Sequence, residues 1–112
     1  MVPKVPSPNV LVVEPYTDLR DGIVDTLQRL DYVCDSVATP VAATLKLHER
    51  DYEYVVLTVD AGGATDDLVA TLDAHDHVLL LTDDDPRELL PHDHSVLRKP
   101  FGRDELAAHF GR

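Results

Sequence analysis

Residue types that mark several protein classes are scarce in this chain of 112 residues. Its one cysteine, Cys34, excludes an internal disulfide and a metal cluster built from cysteine alone. The apolar runs are too short to span a bilayer, and residues 1–8 hold three prolines where a signal peptide would have an apolar stretch. We therefore predict a cytoplasmic protein with no membrane partner.

Basic residues are also few, with 10 Lys and Arg against 21 Asp and Glu, and the formal net charge is -11. Nucleic acid is an unsuitable partner, because binding a polyphosphate requires a basic face that displaces counterions. Most of the acids are Asp, and such a surface repels itself at low ionic strength. Molar salt shortens the Debye length to about 3 Å and screens this repulsion. The composition therefore predicts a halophilic protein.

The length and the hydrophobic pattern predict one α/β domain over residues 9–112, preceded by a disordered proline-rich arm over residues 1–8. Five β-prone segments alternate with helical ones. These strand candidates are Val10 to Val13, Tyr32 to Val37, Tyr54 to Val59, Val78 to Leu81 and Ser95 to Arg98. Such alternation indicates right-handed crossovers and a doubly wound parallel sheet with helices on both faces.

Two helix starts have clear signals. Thr17 is expected to cap the first helix, and Thr39 followed by Pro40 is expected to begin the second. The positions that follow at helical spacing in the second helix are Val41, Leu45 and His48.

Ligands of open α/β sheets bind outside the carboxyl ends of the strands. This rule selects the polar and loop residues that directly follow or end the predicted strands. They are Glu14, Pro15, Thr58, Asp60, Thr82 and Lys99.

Taken in order, these segments resemble the receiver domain of response regulators, the CheY-like superfamily. The matching stretches between Asn9 and Phe110 are VLVVEPYTDLRDGIVDTLQRLDY, DYEYVVLTVD, VLLLT and VLRKPF, the last containing Lys99-Pro100-Phe101. The resemblance implies a flavodoxin-like five-stranded parallel sheet of order 2-1-3-4-5. Two connecting segments are shorter than in a typical receiver, so the third and fourth helices of that fold are expected to be shortened.

The family's chemistry needs an aspartate at the end of the third strand, two acids after the first strand that help to hold Mg²⁺, a lysine and a hydroxyl. By resemblance, Lys99 and Thr82 match the lysine and the hydroxyl, and Glu14 supplies one acid. Pro15 stands where the second acid is expected, and Thr58 stands at the phosphoacceptor. Because threonine cannot form an acyl phosphate and is a poor Mg²⁺ ligand, the resemblance implies a vestigial site without catalysis or cofactor.

An alternative register makes Asp60 the phosphoacceptor and, with Glu14, a weak candidate ligand for Mg²⁺. This register requires a slip or a bulge in the third strand. The aromatic residue that switches rotamer in many receivers is expected three residues before the lysine, where this chain has Val96. An aromatic switch of that kind is therefore absent in either register.

His-Asp-His occurs twice, before the fourth and the fifth predicted strands. The four histidines His75, His77, His92 and His94 are weak candidates for Zn²⁺ or Ni²⁺, which imidazole and carboxylate groups suit. No fixed ligand spacing supports a metal site, so exposed turns on an acidic surface are the favoured interpretation.

The sequence thus predicts a stand-alone receiver-like protein of two-component signalling that is not an enzyme and acts by protein-protein contact without phosphorylation. The partners that the resemblance implies are a sensor histidine kinase, another response regulator or a transcription component. One alternative is a working receiver phosphorylated on Asp60 by a histidine kinase. The other is a flavodoxin-like small-molecule module, which is disfavoured because the first loop, Glu14 to Thr17, lacks a phosphate cradle rich in Ser and Thr.

Overall fold

The computed structural model describes residues 9–59, 77–82 and 95–110, and these form one parallel sheet with helices on both faces. The strand order is β2-β1-β3-β4-β5, as the resemblance implied. The strands are β1 (Val10–Val13), β2 (Cys34–Val37), β3 (Tyr54–Thr58), β4 (Val78–Thr82) and β5 (Ser95–Arg98). The described helices are α1 (Thr17–Arg29), α2 (Pro40–Glu49) and α3 (Arg103–Ala108).

β1 occupies the middle of the sheet, between β2 and β3, and all four of its side chains are buried. A continuous apolar run is what a parallel strand covered on both faces requires, since successive side chains point to opposite layers. Val10 and Val12 pack in the layer that contains α1 and α3, whereas Leu11 and Val13 pack in the layer that contains α2. The first strand therefore holds both halves of the core together.

Several predicted boundaries differ from the structure. β3 ends at Thr58, one residue earlier than predicted, and β4 ends at Thr82, one residue later. β2 begins at Cys34, two residues later than predicted, because the backbone N–H of Val33 donates to the side chain of Asn9 instead. Thr17 is the first residue of α1 and makes no capping bond; Tyr16 occupies the N-cap position. The second helix follows the prediction, since Pro40 is its first residue and Thr39 Oγ1 accepts a hydrogen bond from the Ala42 N–H at 3.1 Å.

The predicted stripe of α2 lies on the wrong side of the helix. Val41 is 73% exposed and Leu45 is 62% exposed, whereas Ala43 is buried and Leu47 packs against the core. Successive residues of an α-helix are rotated by about 100°, so the stripe of Val41 and Leu45 lies on a different face from that of Ala43 and Leu47. Both stripes are apolar, and the sequence does not show which one faces the sheet.

Aromatic side chains close the amino-terminal end of the sheet. Tyr32 and Phe110 meet edge to face at 5.1 Å between ring centroids, and Tyr54 lies 5.3 Å from Phe110. The Tyr32 hydroxyl donates to the Phe110 carbonyl oxygen at 3.0 Å. These contacts fix the residues after α3 to the residues before β2.

An ion pair joins α1 to α3 on the surface of the same layer. Asp25 Oδ2 lies 2.7 Å from an Arg103 nitrogen and 3.1 Å from Arg29 Nε. The hydrogen bond from Arg103 is the main reason that the pKa of the Asp25 carboxyl lies below its usual value.

The proline-rich arm over residues 1–8 and the shortened third and fourth helices of the receiver fold lie outside the described residues. Within the described ranges, no helix is long and apolar enough to cross a membrane.

Candidate functional site

Three of the predicted site residues meet at the carboxyl ends of the strands. Glu14 directly follows β1, Thr58 ends β3, and Lys99 directly follows β5. β1 and β3 are neighbours and run parallel, with Val13 opposite Leu57, so the residues that follow each pairing emerge at the same edge. The topology therefore brings together side chains that are 44 and 85 residues apart in sequence.

A buried ion pair forms the centre of this site. Lys99 Nζ donates to Glu14 Oε1 at 2.5 Å, and the side chains of Lys99 and Glu14 are 7% and 0% exposed. Thr58 Oγ1 donates to the same carboxylate oxygen at 3.0 Å. The second oxygen, Oε2, accepts from the Tyr16 backbone N–H at 3.4 Å. Both oxygens of the only carboxylate among these residues are thus occupied by donors of the chain itself.

Two further residues of the first loop and helix contribute to the site, and the sequence did not single them out. The Tyr16 ring lies over the ammonium group, with 5.9 Å between Lys99 Nζ and the ring centroid, and it is 68% exposed. Arg20 Nη1 donates to the Glu14 carbonyl oxygen at 2.9 Å. A cation over an aromatic face is favourable, so Tyr16 partly replaces the solvent that burial removes from Lys99.

Of the three remaining predicted residues, the structure describes Thr82 and Pro15. Thr82 ends β4, is fully buried, and accepts a hydrogen bond from the Lys99 N–H through its carbonyl oxygen at 2.7 Å. Pro15 is exposed in the loop after Glu14. Lys99 and Pro100 are joined by a cis peptide bond.

The described residues of this site do not fit Mg²⁺. This ion prefers several oxygen ligands, mainly carboxylates and water, in octahedral geometry. Here Glu14 is the one carboxylate in contact with Thr58 and Lys99, and it is already paired with the ammonium group. Across residues 9–59, 77–82 and 95–110 no group of three or more His, Cys, Asp or Glu side chains is arranged to hold a metal ion. Asp60 lies outside the described residues.

Of the four histidines proposed as weak metal ligands, only His77 is among the described residues, and His75, His92 and His94 are not. The His77 ring lies 5.0 Å from the Tyr54 ring, at the amino-terminal end of the sheet. Val96, which stands at the position of the aromatic switch, is half-buried in β5 and packs against the layer of α2.

Two other features lie away from this site. A cavity of about 130 Å³ between α1 and α3 is lined mainly by apolar side chains, including Ile23, Phe101 and Leu106. Its volume is below the range of about 300–1,000 Å³ that is usual for small-molecule pockets. Cys34 is half-buried, and loss of hydration, together with the nearby charge of Asp35, raises the pKa of its thiol to about 11. This thiol is therefore a poor nucleophile at neutral pH.

Solved structures with a similar fold include chemotaxis response regulator CheY4 of Vibrio cholerae, with a TM-score of 0.76, 19% identity, and coverage of 92% of this chain and 95% of that one. SdrG from Sphingomonas melonis Fr1 gives a TM-score of 0.73 and 24% identity, with 92% of each chain covered. The complex of histidine kinase ThkA with response regulator protein TrrA contains a chain with a TM-score of 0.73 and 21% identity, with coverage of 93% and 96%. No protein-family model matches the sequence, and no curated protein does.

These similarities extend over more than nine-tenths of the chain and include the full five-stranded sheet in the order 2-1-3-4-5. The ion pair of Glu14 and Lys99 therefore lies at the carboxyl edge of a sheet with receiver topology. The chain has the CheY-like fold of response-regulator receiver domains.

Proposed function

We propose that this protein is a receiver-like component of two-component signalling that acts through protein-protein contact and accepts no phosphoryl group. The function of such a protein lies in the surface that it presents to a partner. Its site at the carboxyl edge then serves to hold that surface in one conformation.

One observation carries the proposal: the residue at the end of β3 that contacts the Glu14 carboxylate, which Lys99 also contacts, is Thr58. A threonine hydroxyl cannot form the acyl phosphate on which receiver signalling depends, and it adds no negative charge that would attract Mg²⁺. Receiver chemistry relies on a metal and a lysine that together neutralise a phosphoryl group. With Lys99 already neutralised by Glu14, this arrangement favours a site without phosphoryl transfer.

The fold supports a protein partner of the signalling class. A chain of similar fold occurs in the complex of histidine kinase ThkA with response regulator protein TrrA. By analogy, a sensor histidine kinase is one candidate partner here, and another response regulator or a transcription component are the others. The formal net charge of -11 argues against direct contact with nucleic acid.

Titration with beryllofluoride and Mg²⁺ tests the proposal, because this mimic binds to phosphoacceptor aspartates. We expect no saturable change in the tyrosine fluorescence or in the amide NMR spectrum of the protein. The matched control is Asp60→Asn, which removes the carboxylate of the alternative register. A saturable change in the parent that Asp60→Asn abolishes would identify Asp60 as a phosphoacceptor and refute the proposal.

A further inference from the structure

Three hydrogen-bond donors from three separate parts of the chain converge on one carboxylate at the site. They are the Lys99 ammonium group after β5, the Thr58 hydroxyl at the end of β3 and the Tyr16 backbone N–H in the first loop. A set of an ammonium, a hydroxyl and a backbone amide is the kind of site that binds small oxyanions. In this chain the anion that it holds is Glu14.

Glu14 differs from an ordinary surface partner of a lysine in burial and in the number of its contacts. It is fully buried, and the Lys99 side chain is only 7% exposed, so neither charge is well hydrated. Removing one charge of such a pair leaves the other buried without compensation, which is strongly unfavourable. The donors therefore require a negative group at this position, whether or not it is attached to the chain.

We propose that the site is a carboxylate-binding site whose ligand, Glu14, is supplied by the chain itself. Glu14 acts as a tethered ligand that keeps free anions out and holds the loop after β1 against the residues after β5. This inference rests on the proposed function, because a working phosphorylation site would need Lys99 to be available to an external phosphoryl group. It adds that the site is permanently occupied, so it is insensitive to small anions as well as to Mg²⁺.

Chemical rescue tests this inference. Glu14→Ala removes a methylene and a carboxylate, which together correspond to acetate, and leaves Lys99, Thr58 and the Tyr16 amide in place. We expect acetate, compared with chloride at equal ionic strength and without Mg²⁺, to raise the melting temperature of Glu14→Ala by about 4 °C or more in a saturable manner. The parent is expected to show no such rise.

Two matched variants locate the effect. Glu14→Gln removes the same charge but fills the space that acetate would occupy. The double variant Glu14→Ala, Lys99→Met removes the cation that acetate would contact. Neither variant is expected to gain melting temperature with acetate. If Glu14→Ala is unfolded in chloride, acetate must restore its helical circular dichroism signal.

No saturable response of Glu14→Ala to acetate, in melting temperature or in refolding, would refute the tethered-ligand inference. An equal response of Glu14→Ala with Lys99→Met would refute it as well. These outcomes are separate from the beryllofluoride result, because they involve neither the metal nor Asp60. If the parent binds beryllofluoride but does not respond to acetate, the beryllofluoride result alone refutes the proposed function.

Discussion

At the scale of single residues, the main charged contact in the interior of the described residues is the pair of Glu14 and Lys99. A buried pair of this kind contributes little net stability relative to apolar residues of the same size, but breaking it is costly. Its value therefore lies in the geometry that it imposes, since the pair ties the loop after β1 to the end of β5.

A double-mutant cycle measures this coupling. We expect Glu14→Gln and Lys99→Met each to lower the free energy of unfolding by about 3–5 kcal/mol, because each leaves a buried polar partner without its counterpart. The double variant is expected to lose clearly less than the sum of the two. Urea unfolding at constant KCl gives the three values, and additive losses would show that the two side chains do not depend on each other.

A second residue-scale contact links stability to pH in the alkaline range. Tyr52 is buried and donates a hydrogen bond to Asp35 Oδ2 at 2.5 Å. Burial, followed by the bond to Asp35, raises the pKa of the Tyr52 hydroxyl well above its usual value of 10.0. A raised pKa means that the unfolded chain releases this proton first as pH rises, so the stabilisation is complete below pH 10 and declines above it.

We therefore expect Tyr52→Phe to lower stability by about 1–2 kcal/mol at pH 7, because Asp35 loses a donor. Between pH 10 and pH 11.5 the stability of the variant should fall less steeply than that of the parent. Unfolding curves at both ends of this range decide the matter, with Tyr16→Phe as the control because Tyr16 is exposed. Parallel declines in parent and Tyr52→Phe would contradict the assignment.

At the scale of helices and strands, local sequence signals predicted most of the described elements. β1 and β5 have the predicted boundaries, because four-residue apolar or β-prone runs between turn residues permit little else. Thr39 and Pro40 also act as predicted, since both act within a single helical turn. Thr17 failed as a cap because the preceding residue, Tyr16, already has the extended backbone that an N-cap needs.

The side chains of α2 and the loop residue Tyr16 show where sequence reasoning fails. Val41 and Leu45 have the right spacing for a buried face, but Ala43 is the residue of α2 that is buried against the sheet, and Leu47 packs against the same cluster. The contact between the Tyr16 ring and Lys99 likewise could not be predicted from the sequence. Nothing in the sequence around Tyr16 indicates that its exposed ring lies over a buried lysine.

The middle of α1 offers a prediction at this scale. Gly22 lies inside the helix with ordinary helical geometry, and a methyl group added there would meet no heavy atom within 4 Å. Gly22→Ala is therefore expected to raise the free energy of unfolding by about 0.5–1 kcal/mol, since alanine loses less backbone entropy in a helix. Thermal unfolding checks this, with Thr39→Ala as a destabilising control for α2. A loss of stability in Gly22→Ala would mean that the space beside α1 is filled.

At the scale of the whole molecule, charge is unevenly distributed between surface and site. The chain has 21 acidic residues, but the described site holds one carboxylate, which is neutralised. Exposed acids include Asp18 in the first turn of α1, Asp21 in its second turn and Asp51 in the loop after α2. This division explains why, among residues 9–59, 77–82 and 95–110, the acidic composition gathers no group of carboxylates suited to a metal ion.

The surface acids predict a strong dependence on salt. We expect the melting temperature to rise by about 5 °C or more between dilute and molar KCl, because salt screens the repulsion among like charges. Replacing Asp21 and Asp51 with lysine changes the net charge from -11 to -7, since each exchange adds two positive charges, and should reduce this rise. A melting temperature that is independent of KCl in the parent would contradict the halophilic interpretation.

We propose that Pro15 and Thr58 leave the described part of the carboxyl edge without the acids that receiver chemistry needs, and Mg²⁺ titration tests this most directly. The double variant Pro15→Asp, Thr58→Asp places carboxylates beside Glu14 and is expected to bind Mg²⁺ in the millimolar range, whereas the parent is expected to show no saturable binding. Isothermal titration calorimetry at constant KCl compares the two proteins. Binding of Mg²⁺ by the parent with the same affinity as the double variant would contradict the account.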